Sequence, residues 1–337
     1  MSVRIGINGF GRIGRLVARA LYEYDIRGVE LVAINSPGSA ATSAHLLRYD
    51  SVHGNFAAQV VESDGFIDFS CGRVRMTHER DPAKIDWKSV GVDVVMECTG
   101  IFRSKEAVQP HFEAGAKQVL ISAPADNVDK TIVFGVNERE LSSKDVVVSC
   151  ASCTTNCLAP IVRVVLDAIG IQRGFMNTVH SYTQDQRILD NSHKDLYRAR
   201  SAGLNMIPTS TGAARAVGLV IPEVSGKLAG SAVRVPTANV SMCELIIQPD
   251  SKATEEVINA AMHKAANNEM SGIIRYIDEK LVSSDMNHDP HSAIFAAPLT
   301  RVMDGDLVKL VAWYDNEWGF ANRMIDVAKH MSKTIQN

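Results

Sequence analysis

Three cysteines crowd into one short segment in the middle of the chain, Ser149-Cys150-Ala151-Ser152-Cys153-Thr154-Thr155-Asn156-Cys157. The segment follows a strand-like stretch and opens a helix, whose positive dipole end favours the reactive thiolate over the thiol. Cys153 falls in the first helical turn, whereas Cys150 ends the strand and Cys157 comes one turn later. We therefore expect Cys153 to be a nucleophile.

The cysteines have two other interpretations. They could ligate a metal, but no second Cys/His cluster of recognisable spacing completes a tetrahedral site, so we expect no metal. They could also be inert buried thiols, as is common for cysteine. The Ser, Thr and Asn side chains around Cys153 argue against an apolar environment of that kind.

A thiol nucleophile needs a base, and His180 stands out among the ten histidines. It lies inside a strand-like stretch, Met176-Asn177-Thr178-Val179-His180-Ser181-Tyr182-Thr183, which should follow the nucleophile helix in the sheet. Pairing of its imidazolium with the thiolate would lower the pKa of the Cys153 thiol and supply a general base.

A glycine-rich turn, Asn8-Gly9-Phe10-Gly11-Arg12-Ile13-Gly14, joins the first strand to the first helix. Gly9 permits a tight turn, Gly11 lets the backbone approach a pyrophosphate, and Gly14 allows close helix–strand packing. The helix start adds N–H groups and a positive dipole end. In this context the motif favours dinucleotide binding over a plain glycine turn.

The acidic residue expected at the end of the second strand is missing. A carboxylate there binds the adenosine ribose and repels a 2′-phosphate. Here the stretch is Ile34-Asn35-Ser36-Pro37-Gly38-Ser39, which leaves room and donors for a phosphate. The cofactor is therefore NAD bound without this hydrogen bond, or NADP.

The order of elements predicts an α/β protein with two domains. The first part alternates strands with helices, which predicts a Rossmann-type, doubly wound parallel sheet. After Cys150 the strands become longer and predict an α+β catalytic domain with a mostly antiparallel or mixed sheet. We assign 1–151 and 316–337 to a cofactor-binding domain and 152–315 to the catalytic domain.

The predicted helices are 13–24, 104–114, 153–168 and 317–332. The predicted strands are 3–8, 31–35, 92–96, 118–122, 131–134, 146–149, 175–183, 231–235, 241–248 and 307–314.

Composition and charge argue against a nucleic-acid-binding or a membrane protein. The 337 residues carry 35 Lys and Arg against 38 Asp and Glu, a formal charge of −3, which gives no basic field for nucleic acid or a membrane surface. No apolar run reaches the length of a bilayer span, and the N-terminus has no signal-peptide pattern. The six cysteines suit reduced thiols in the cytoplasm.

End to end, the chain resembles the phosphorylating glyceraldehyde-3-phosphate dehydrogenase family, from Ile7–Gly14 to Trp313–Phe320. The segment Ala151–Cys157 matches the active-site signature of the family. The resemblance implies that Cys153 attacks the aldehyde, that hydride transfer leaves a thioester, and that inorganic phosphate releases 1,3-bisphosphoglycerate. This is a reversible step of glycolysis and gluconeogenesis, with glyceraldehyde 3-phosphate as substrate.

The resemblance also implies two anion sites. Thr183 and Arg234, with Asp185 nearby, would hold the substrate phosphate. Inorganic phosphate would contact Ser152, Thr154, Thr211 and Gly212, with Arg198 contributing. Taken alone, Thr209-Ser210-Thr211-Gly212 would read as an ordinary helix start.

For the cofactor, the resemblance implies contacts from Arg12, Ile13, Arg80, Ser122 and Asn316, the last orienting the nicotinamide carboxamide. Residues 182–206 correspond to the S-shaped loop of the family, which lines a neighbouring subunit's cofactor site in a homotetramer. NAD-selective members place Asp where this chain has Ser36, and commonly Leu and Pro where it has Pro37 and Ser192. These departures point to use of NADP as well as NAD. Cys150 replaces the usual Asn, for which we have no account.

Two alternatives remain. The segment Asn287–Ala293 resembles erythrose-4-phosphate dehydrogenase, a relative that releases its product by hydrolysis. Thr209–Ala214 and Lys194-Asp195 favour the phosphorylating enzyme, since the phosphate cradle serves only phosphate attack. A purely binding or regulatory role has no specific support in the sequence, and the intact Cys153 and His180 argue for catalysis.

Overall fold

The chain folds into two compact units. The structure, a computed structural model, describes residues 2–70 and 72–335, so Cys71 and the predicted domain ends at 1, 336 and 337 lie outside the described residues. The first unit comprises Met1–Ser152 and Ala321–Asn337, and the second comprises Cys153–Phe320.

The first unit contains a nine-stranded sheet in the order β10-β11-β9-β8-β1-β2-β7-β6-β5. The strands from β10 to β7 in this order are parallel, and β6 and β5 extend the edge as antiparallel strands. Its strands are β1 Val3–Asn8, β2 Val29–Asn35, β5 Val61–Ser63, β6 Phe66–Asp68, β7 Arg73–Thr77, β8 Val94–Glu97, β9 Gln118–Ile121, β10 Lys130–Thr131 and β11 Val147–Ser149. A separate hairpin pairs β3 Tyr49–Asp50 with β4 Gly54–Asn55.

The strand order reverses at β1, which lies between β2 on one side and β8 on the other. At such a point the carboxyl ends of neighbouring strands leave a crevice in which open α/β sheets bind ligands. Among the described residues before Ser152, the first unit contains three α-helices: α1 Arg12–Glu23, α2 Ala40–Arg48 and α3 Gln109–Glu113. The turn between β1 and α1 therefore opens at the place where a dinucleotide binds in this fold.

The second unit has a mixed sheet in the order β13-β14-β12-β15-β19-β17-β16, with β18 attached to β19. The central strand β12 runs parallel to β14 and antiparallel to β15. The strands are β12 Arg173–Ser181, β13 Ile207–Thr209, β14 Leu228–Val235, β15 Ser241–Gln248, β16 Ile274–Ile277, β17 Ala293–Ala296, β18 Arg301–Met303 and β19 Leu307–Tyr314. The predicted combination of a parallel and a mixed sheet is confirmed.

Helices of the second unit cover its sheet. The helices are α4 Cys153–Ile169, α5 Ala213–Val220, α6 Glu255–Asn267 and α7 Trp318–Ile335, of which α7 continues into the first unit from Ala321. Helix α4 buries most of its length, including Cys157, Leu158 and Ile161. Because α4 packs against β15, β17 and β19, its first residue is held rigidly relative to the sheet.

Two predicted elements are much shorter than expected. The helix predicted over 104–114 forms only at Gln109–Glu113, where Pro110 occupies the first turn and its missing N–H costs no helical hydrogen bond. The strand predicted over 131–134 ends at Thr131, and residues 134–137 form turns.

Candidate active site

Cys153 is the first residue of α4, directly after the turn that follows β11. Its Sγ atom lies 3.5 Å from Nε2 of His180, a residue of β12. The two side chains expected to form the nucleophile and the base are therefore in contact, although 27 positions separate them along the chain.

The tautomer of His180 follows from its other hydrogen bond. Nδ1 lies 2.7 Å from the carbonyl oxygen of Ser181, which can only accept, so Nδ1 carries the hydrogen. Nε2 of the neutral imidazole therefore presents its lone pair to the Cys153 thiol. This is the orientation that a general base needs.

Burial opposes a lone charge on either partner. It raises the pKa of the Cys153 thiol, although the backbone and hydroxyl of Thr154 and the charge of Arg234 oppose this shift. Burial likewise lowers the pKa of His180 to about 4, assisted by Arg234, while the hydrogen bond to Ser181 works the other way. The helix start alone therefore does not ionise the thiol as expected. Moving the proton from Sγ to Nε2 creates both charges together, and their attraction then offsets much of the burial cost.

Tyr314 joins the two elements that carry this pair. Its hydroxyl lies 2.9 Å from Oγ1 of Thr154, the residue after the nucleophile, and 2.9 Å from Oγ1 of Thr178 on β12. Its ring meets the His180 ring edge to face, with centroids 5.9 Å apart. Burial raises the pKa of Tyr314 well above its usual range, so the phenol stays neutral. Sequence reasoning missed this residue, although it lies within the matched segment Trp313–Phe320.

An arginine lies beside the base. Arg234 on β14 is the direct neighbour of His180 on β12 in the parallel pairing. Its Nη1 donates to Oγ1 of Thr183 and, at 3.2 Å, to Oε1 of Gln186. The structure thus brings together Thr183 and Arg234, the predicted residues of the substrate-phosphate site, and adds Gln186.

Arg198 forms a second polar cluster. Its Nη1 donates to Asp185, its Nε donates to Oγ1 of Thr209 at 2.8 Å, and Nε lies 3.5 Å from Asp195. The charge of Arg198 contributes to lowering the pKa of Arg234, after burial, which places the two guanidinium groups within electrostatic reach of each other. Asp185 therefore lies close to both arginines, and Thr209, from the segment Thr209–Ala214 that the sequence linked to phosphate, adds its hydroxyl to this cluster.

The other residues predicted to bind inorganic phosphate occupy two helix starts. Gly212 is the N-cap of α5, and Oγ1 of Thr211 accepts from the N–H of Ala213 at 3.2 Å. The Thr211 hydroxyl thus accepts from the first residue of the helix without being its N-cap, and it keeps its own hydrogen to donate. Thr154 is buried against Tyr314, and Ser152 is half-buried immediately before Cys153.

Asn316 is held by two serine hydroxyls. Oγ of Ser181 and Oγ of Ser241 both donate to its Oδ1, at 2.9 and 2.8 Å. The amide nitrogen is thereby turned away from the serines and can donate to a ligand. Next to it, Oδ1 of Asp315 accepts from the N–H groups of Glu317 and Trp318 and fixes the turn into α7.

The glycine-rich turn of the first unit fits a dinucleotide. Gly9 has a φ of +95°, and a Cβ there would lie 2.7 Å from the backbone nitrogen of Thr99. A Cβ on Gly14 would lie 2.3 Å from the carbonyl oxygen of Gly9, whereas one on Gly11 would meet nothing within 4 Å. The first and last glycines are therefore required by the fold, and the middle one keeps space open before the helix start of Arg12 and Ile13.

The Arg12 side chain is engaged within the first unit. Its guanidinium forms a bidentate ion pair with Asp50, in which Nη2 lies 3.1 Å from Oδ1. Because the ends of the guanidinium pair with Asp50, we expect Arg12 to meet a pyrophosphate mainly through its backbone N–H at the start of α1.

A chain of buried, hydrogen-bonded polar side chains holds Asn8, the residue directly before Gly9 of the glycine-rich turn. Nε1 of Trp87 donates to Nδ1 of His111 at 3.1 Å, and Nε2 of His111 then donates to Oε2 of Glu97 at 3.1 Å. The same carboxylate oxygen accepts from Nδ2 of Asn8 at 2.6 Å, and Oδ1 of Asn8 accepts from Asn35 at 2.8 Å. These hydrogen bonds connect the carboxyl ends of β1, β2 and β8.

The remaining predicted cofactor residues of the first unit follow the carboxyl ends of β2, β7 and β9. Ser36 follows β2, and its carbonyl accepts from Nδ1 of His78 at 2.9 Å. Arg80 is exposed beyond β7, and Ser122, at the end of β9, forms a hydrogen bond with the Cys98 thiol. Cys150 is fully buried, and burial raises its pKa to about 12.

Ser192 is exposed on the second unit, where its N–H donates to Oδ1 of Asn191 at 2.7 Å. Across residues 2–70 and 72–335, no group of three or more His, Cys, Asp or Glu side chains is arranged to hold a metal. Within the same residues no helix is long and apolar enough to cross a membrane.

Comparison with known proteins identifies the family of the chain. The model of the glyceraldehyde 3-phosphate dehydrogenase NAD binding domain matches residues 3–105, and that of the C-terminal domain matches 152–316. The glyceraldehyde-3-phosphate dehydrogenase of Cereibacter sphaeroides is 54% identical over 99% of this chain and 100% of its own length. The enzymes of the same name from Xanthobacter flavus and Zymomonas mobilis are 53% and 52% identical over 99% of this chain and 99% and 100% of their own lengths.

These relatives do not favour the erythrose-4-phosphate alternative, since all three carry the other name. The match covers both units, and it includes the helix start that carries Cys153 and the strand that carries His180. On this ground the chain belongs to the glyceraldehyde 3-phosphate dehydrogenase family, as an NAD-dependent dehydrogenase.

Proposed function

We propose that this enzyme converts D-glyceraldehyde 3-phosphate, inorganic phosphate and NAD to 1,3-bisphosphoglycerate, reversibly, through a thioester on Cys153. The observation that carries the proposal is the 3.5 Å contact between Sγ of Cys153 and Nε2 of His180. The carbonyl of Ser181 fixes the tautomer of the base, and Arg234 on the neighbouring strand supplies a positive charge for an anionic substrate.

The first steps follow from this pair. His180 takes the thiol proton at Nε2, Sγ attacks the aldehyde carbon, and the proton passes from Nε2 to the carbonyl oxygen to give a thiohemiacetal. The same nitrogen, now neutral again, accepts the hydroxyl proton while the carbon loses hydride and becomes a thioester. The nicotinamide cofactor accepts that hydride when bound. Attack of inorganic phosphate on the thioester breaks the carbon–sulfur bond and releases the acyl phosphate.

Two anion sites support these steps. Thr183 and Arg234 hold the substrate phosphate, since a guanidinium can give a bidentate, charge-assisted pair to it. Ser152, Thr154, Thr211 and Gly212, with Arg198, hold the attacking phosphate. The contacts of Arg198 with Asp185 and Thr209 preorganise its guanidinium for this purpose.

The cofactor is assigned to the first unit's glycine-rich turn and to Asn316. The space beside Gly11 and the N–H groups of Arg12 and Ile13 suit a pyrophosphate. Arg80 and Ser122 line the same end of the sheet, and the amide of Asn316 orients the carboxamide. Residues 1–151 and 316–337 would then form the cofactor-binding domain and 152–315 the catalytic domain.

The enzyme uses NADP as well as NAD, because Ser36 puts no carboxylate where a 2′-phosphate would lie, and Ser192 is also small and polar. Comparing kcat/KM for the two cofactors tests this part. A preference for NAD above about a thousandfold, or about 4 kcal/mol, contradicts it. Ser36→Asp should lower NADP use selectively.

The assembly is a homotetramer. The segment 182–206 exposes large apolar side chains, including Ile188 at 86%, Leu196 at 83% and Leu204 at 80%. Large apolar side chains exposed together along one segment are typical of surfaces that contact other proteins. Light scattering after size-exclusion chromatography should give about four times the chain mass of 36.6 kDa. A cytoplasmic location remains a prediction from the cysteine content.

Three assays test the reaction. Turnover of glyceraldehyde 3-phosphate should require inorganic phosphate, and Cys153→Ser should abolish it. A phosphate-independent turnover of erythrose 4-phosphate at higher kcat/KM would contradict the proposal in favour of the alternative.

A further inference from the structure

Gln186 is a buried polar side chain in the irregular segment 182–206, with only 6% of its surface exposed. Its backbone N–H donates to the carbonyl of Thr183 at 3.0 Å, which closes a tight turn. Its Oε1 accepts from the backbone N–H of Thr183 at 3.2 Å and from Nη1 of Arg234 at 3.2 Å. One amide oxygen thus holds both residues that we assign to the substrate phosphate.

The arrangement has a geometric consequence for Arg234. Thr183 follows the end of β12, whereas Arg234 belongs to β14, and Gln186 connects the two positions. Nη1 donates to Oγ1 of Thr183 and to Oε1 of Gln186. The long arginine side chain would otherwise lose rotamer freedom when an anion binds. Held in this way, its Nη2 and Nε can meet a phosphate with little further ordering.

The chemistry of the amide also suits the role. A neutral oxygen orients the guanidinium without adding a second carboxylate to that of nearby Asp185, so more of the positive charge of Arg234 stays available to the ligand. A carboxylate at the same position would make a charge-assisted pair with Arg234 and compete with a phosphate for it. The choice of glutamine therefore favours binding of an anion at Arg234.

We infer that Gln186 is a positioning residue that makes the enzyme selective for phosphorylated over unphosphorylated aldehydes. The inference rests on the proposed function, because it takes Thr183 and Arg234 as the substrate-phosphate site. Gln186 acts through these two residues and does not touch the reacting carbon.

The test compares two substrates in the full-length enzyme. Values of kcat/KM are measured for glyceraldehyde 3-phosphate and for glyceraldehyde, which lacks the phosphate, at saturating cofactor and inorganic phosphate. The variants are Gln186→Met, which keeps the volume and removes the acceptor, and Gln186→Glu. Gln248→Ala is the matched control, because Oε1 of Gln248 also accepts from an arginine, Nε of Arg173 at 3.0 Å, at the other end of β12.

We expect the ratio of the two kcat/KM values to fall about tenfold to hundredfold in Gln186→Met, the usual effect of losing a hydrogen bond to a charged group. Gln186→Glu should lower the ratio further, and Gln248→Ala should leave it unchanged. The rate at which iodoacetamide alkylates Cys153 without substrate, together with the melting temperature, reports on whether the fold is intact.

An unchanged ratio in both Gln186 variants overturns the inference. So does an equal loss for both substrates, since that would show a structural role. If the wild-type enzyme itself shows no preference for the phosphorylated aldehyde, the assignment of the phosphate site fails, and the proposed function with it.

Discussion

Sγ of Cys153 lies 3.5 Å from Nε2 of His180, while the other ring nitrogen of His180 is tied to the carbonyl of its neighbour Ser181 at 2.7 Å. The base cannot rotate away from the thiol without losing that hydrogen bond. Activation of the thiol therefore depends on the imidazole as a proton acceptor, since burial alone raises the pKa of Cys153.

Replacing His180 with Asn should remove this activation. In the wild type we expect iodoacetamide to alkylate Cys153 already below the ordinary thiol pKa of about 8.5, because the thiol proton can pass to Nε2. In His180→Asn the Cys153 thiol has no proton acceptor and burial still raises its pKa, so the alkylation rate should increase only at higher pH. Turnover should fall about 10²- to 10⁴-fold. Identical pH profiles for the two proteins would contradict this account.

Tyr314→Phe should weaken the connection between α4 and β12. Loss of the hydroxyl leaves the side chains of Thr154 and Thr178 without their shared partner in a buried place, which costs about 1–3 kcal/mol. Urea unfolding measures this loss, and the rate of Cys153 alkylation should change with it because Thr154 contacts the thiol. Tyr197→Phe is the control, since Tyr197 is 62% exposed. Equal effects of the two substitutions would rule out the connection.

The glycines of the turn should separate binding from stability. Gly14→Ala brings a methyl group within 2.3 Å of the Gly9 carbonyl and should lower the melting temperature. Gly11→Ala meets no protein atom within 4 Å, so the fold should tolerate it while the methyl group fills the space assigned to the pyrophosphate. Calorimetric titration with NAD should show at least about tenfold weaker binding for Gly11→Ala, or about 1.4 kcal/mol. Unchanged affinity would place the pyrophosphate elsewhere.

Asp50 should make stability depend on pH in the acid range. Burial opposes its ionisation, but hydrogen bonds from Arg12, His53 and Val52 lower its pKa to about 2. Because this value lies below the unfolded value of about 3.9, the stabilisation is present above about pH 4 and is lost as pH falls toward 2. Asp50→Asn should reduce the free energy of unfolding by about 2 kcal/mol at pH 7 and by progressively less below pH 4.

The control for Asp50 is Asp25→Asn. The Asp25 carboxylate is 87% exposed and lies 3.7 Å from Arg27, so this surface pair should contribute less than about 1 kcal/mol. Urea unfolding curves at several pH values measure both variants. A difference between Asp50→Asn and the wild type that persists unchanged at pH 2 would show that the ion pair is not its source.

Local patterns predicted the parts of the fold that depend on near neighbours. The strand–turn–helix around Gly9–Gly14 and the helix beginning at Cys153 could be read from apolar periodicity and from turn residues. The strand order could not, because pairing of β12 with β14 and β15 is decided by packing between distant segments. The edge strands β5 and β6 are too short for a clear period.

The site shows the same division. Cys153 and His180 were found from residue type and local context, but their contact spans 27 positions and no local signal measures it. Tyr314 lies 160 positions from Thr154, and Gln186 lies in a segment without a period. The raised pKa of the Cys153 thiol could not be predicted from the sequence either, because its burial depends on how α4 packs and not on the residues beside it.

The buried polar chain from Trp87 through His111, Glu97 and Asn8 to Asn35 constrains how this protein can vary. Each member of the chain is hydrogen-bonded to its neighbours. A single replacement therefore leaves a buried donor or acceptor without a partner, and water does not replace that partner in the core. Libraries that randomise one of these positions at a time should return mainly the starting residue among active clones. Alternative solutions should emerge only when adjacent members are randomised together, and altering the cofactor turn by directed evolution will depend on such paired changes.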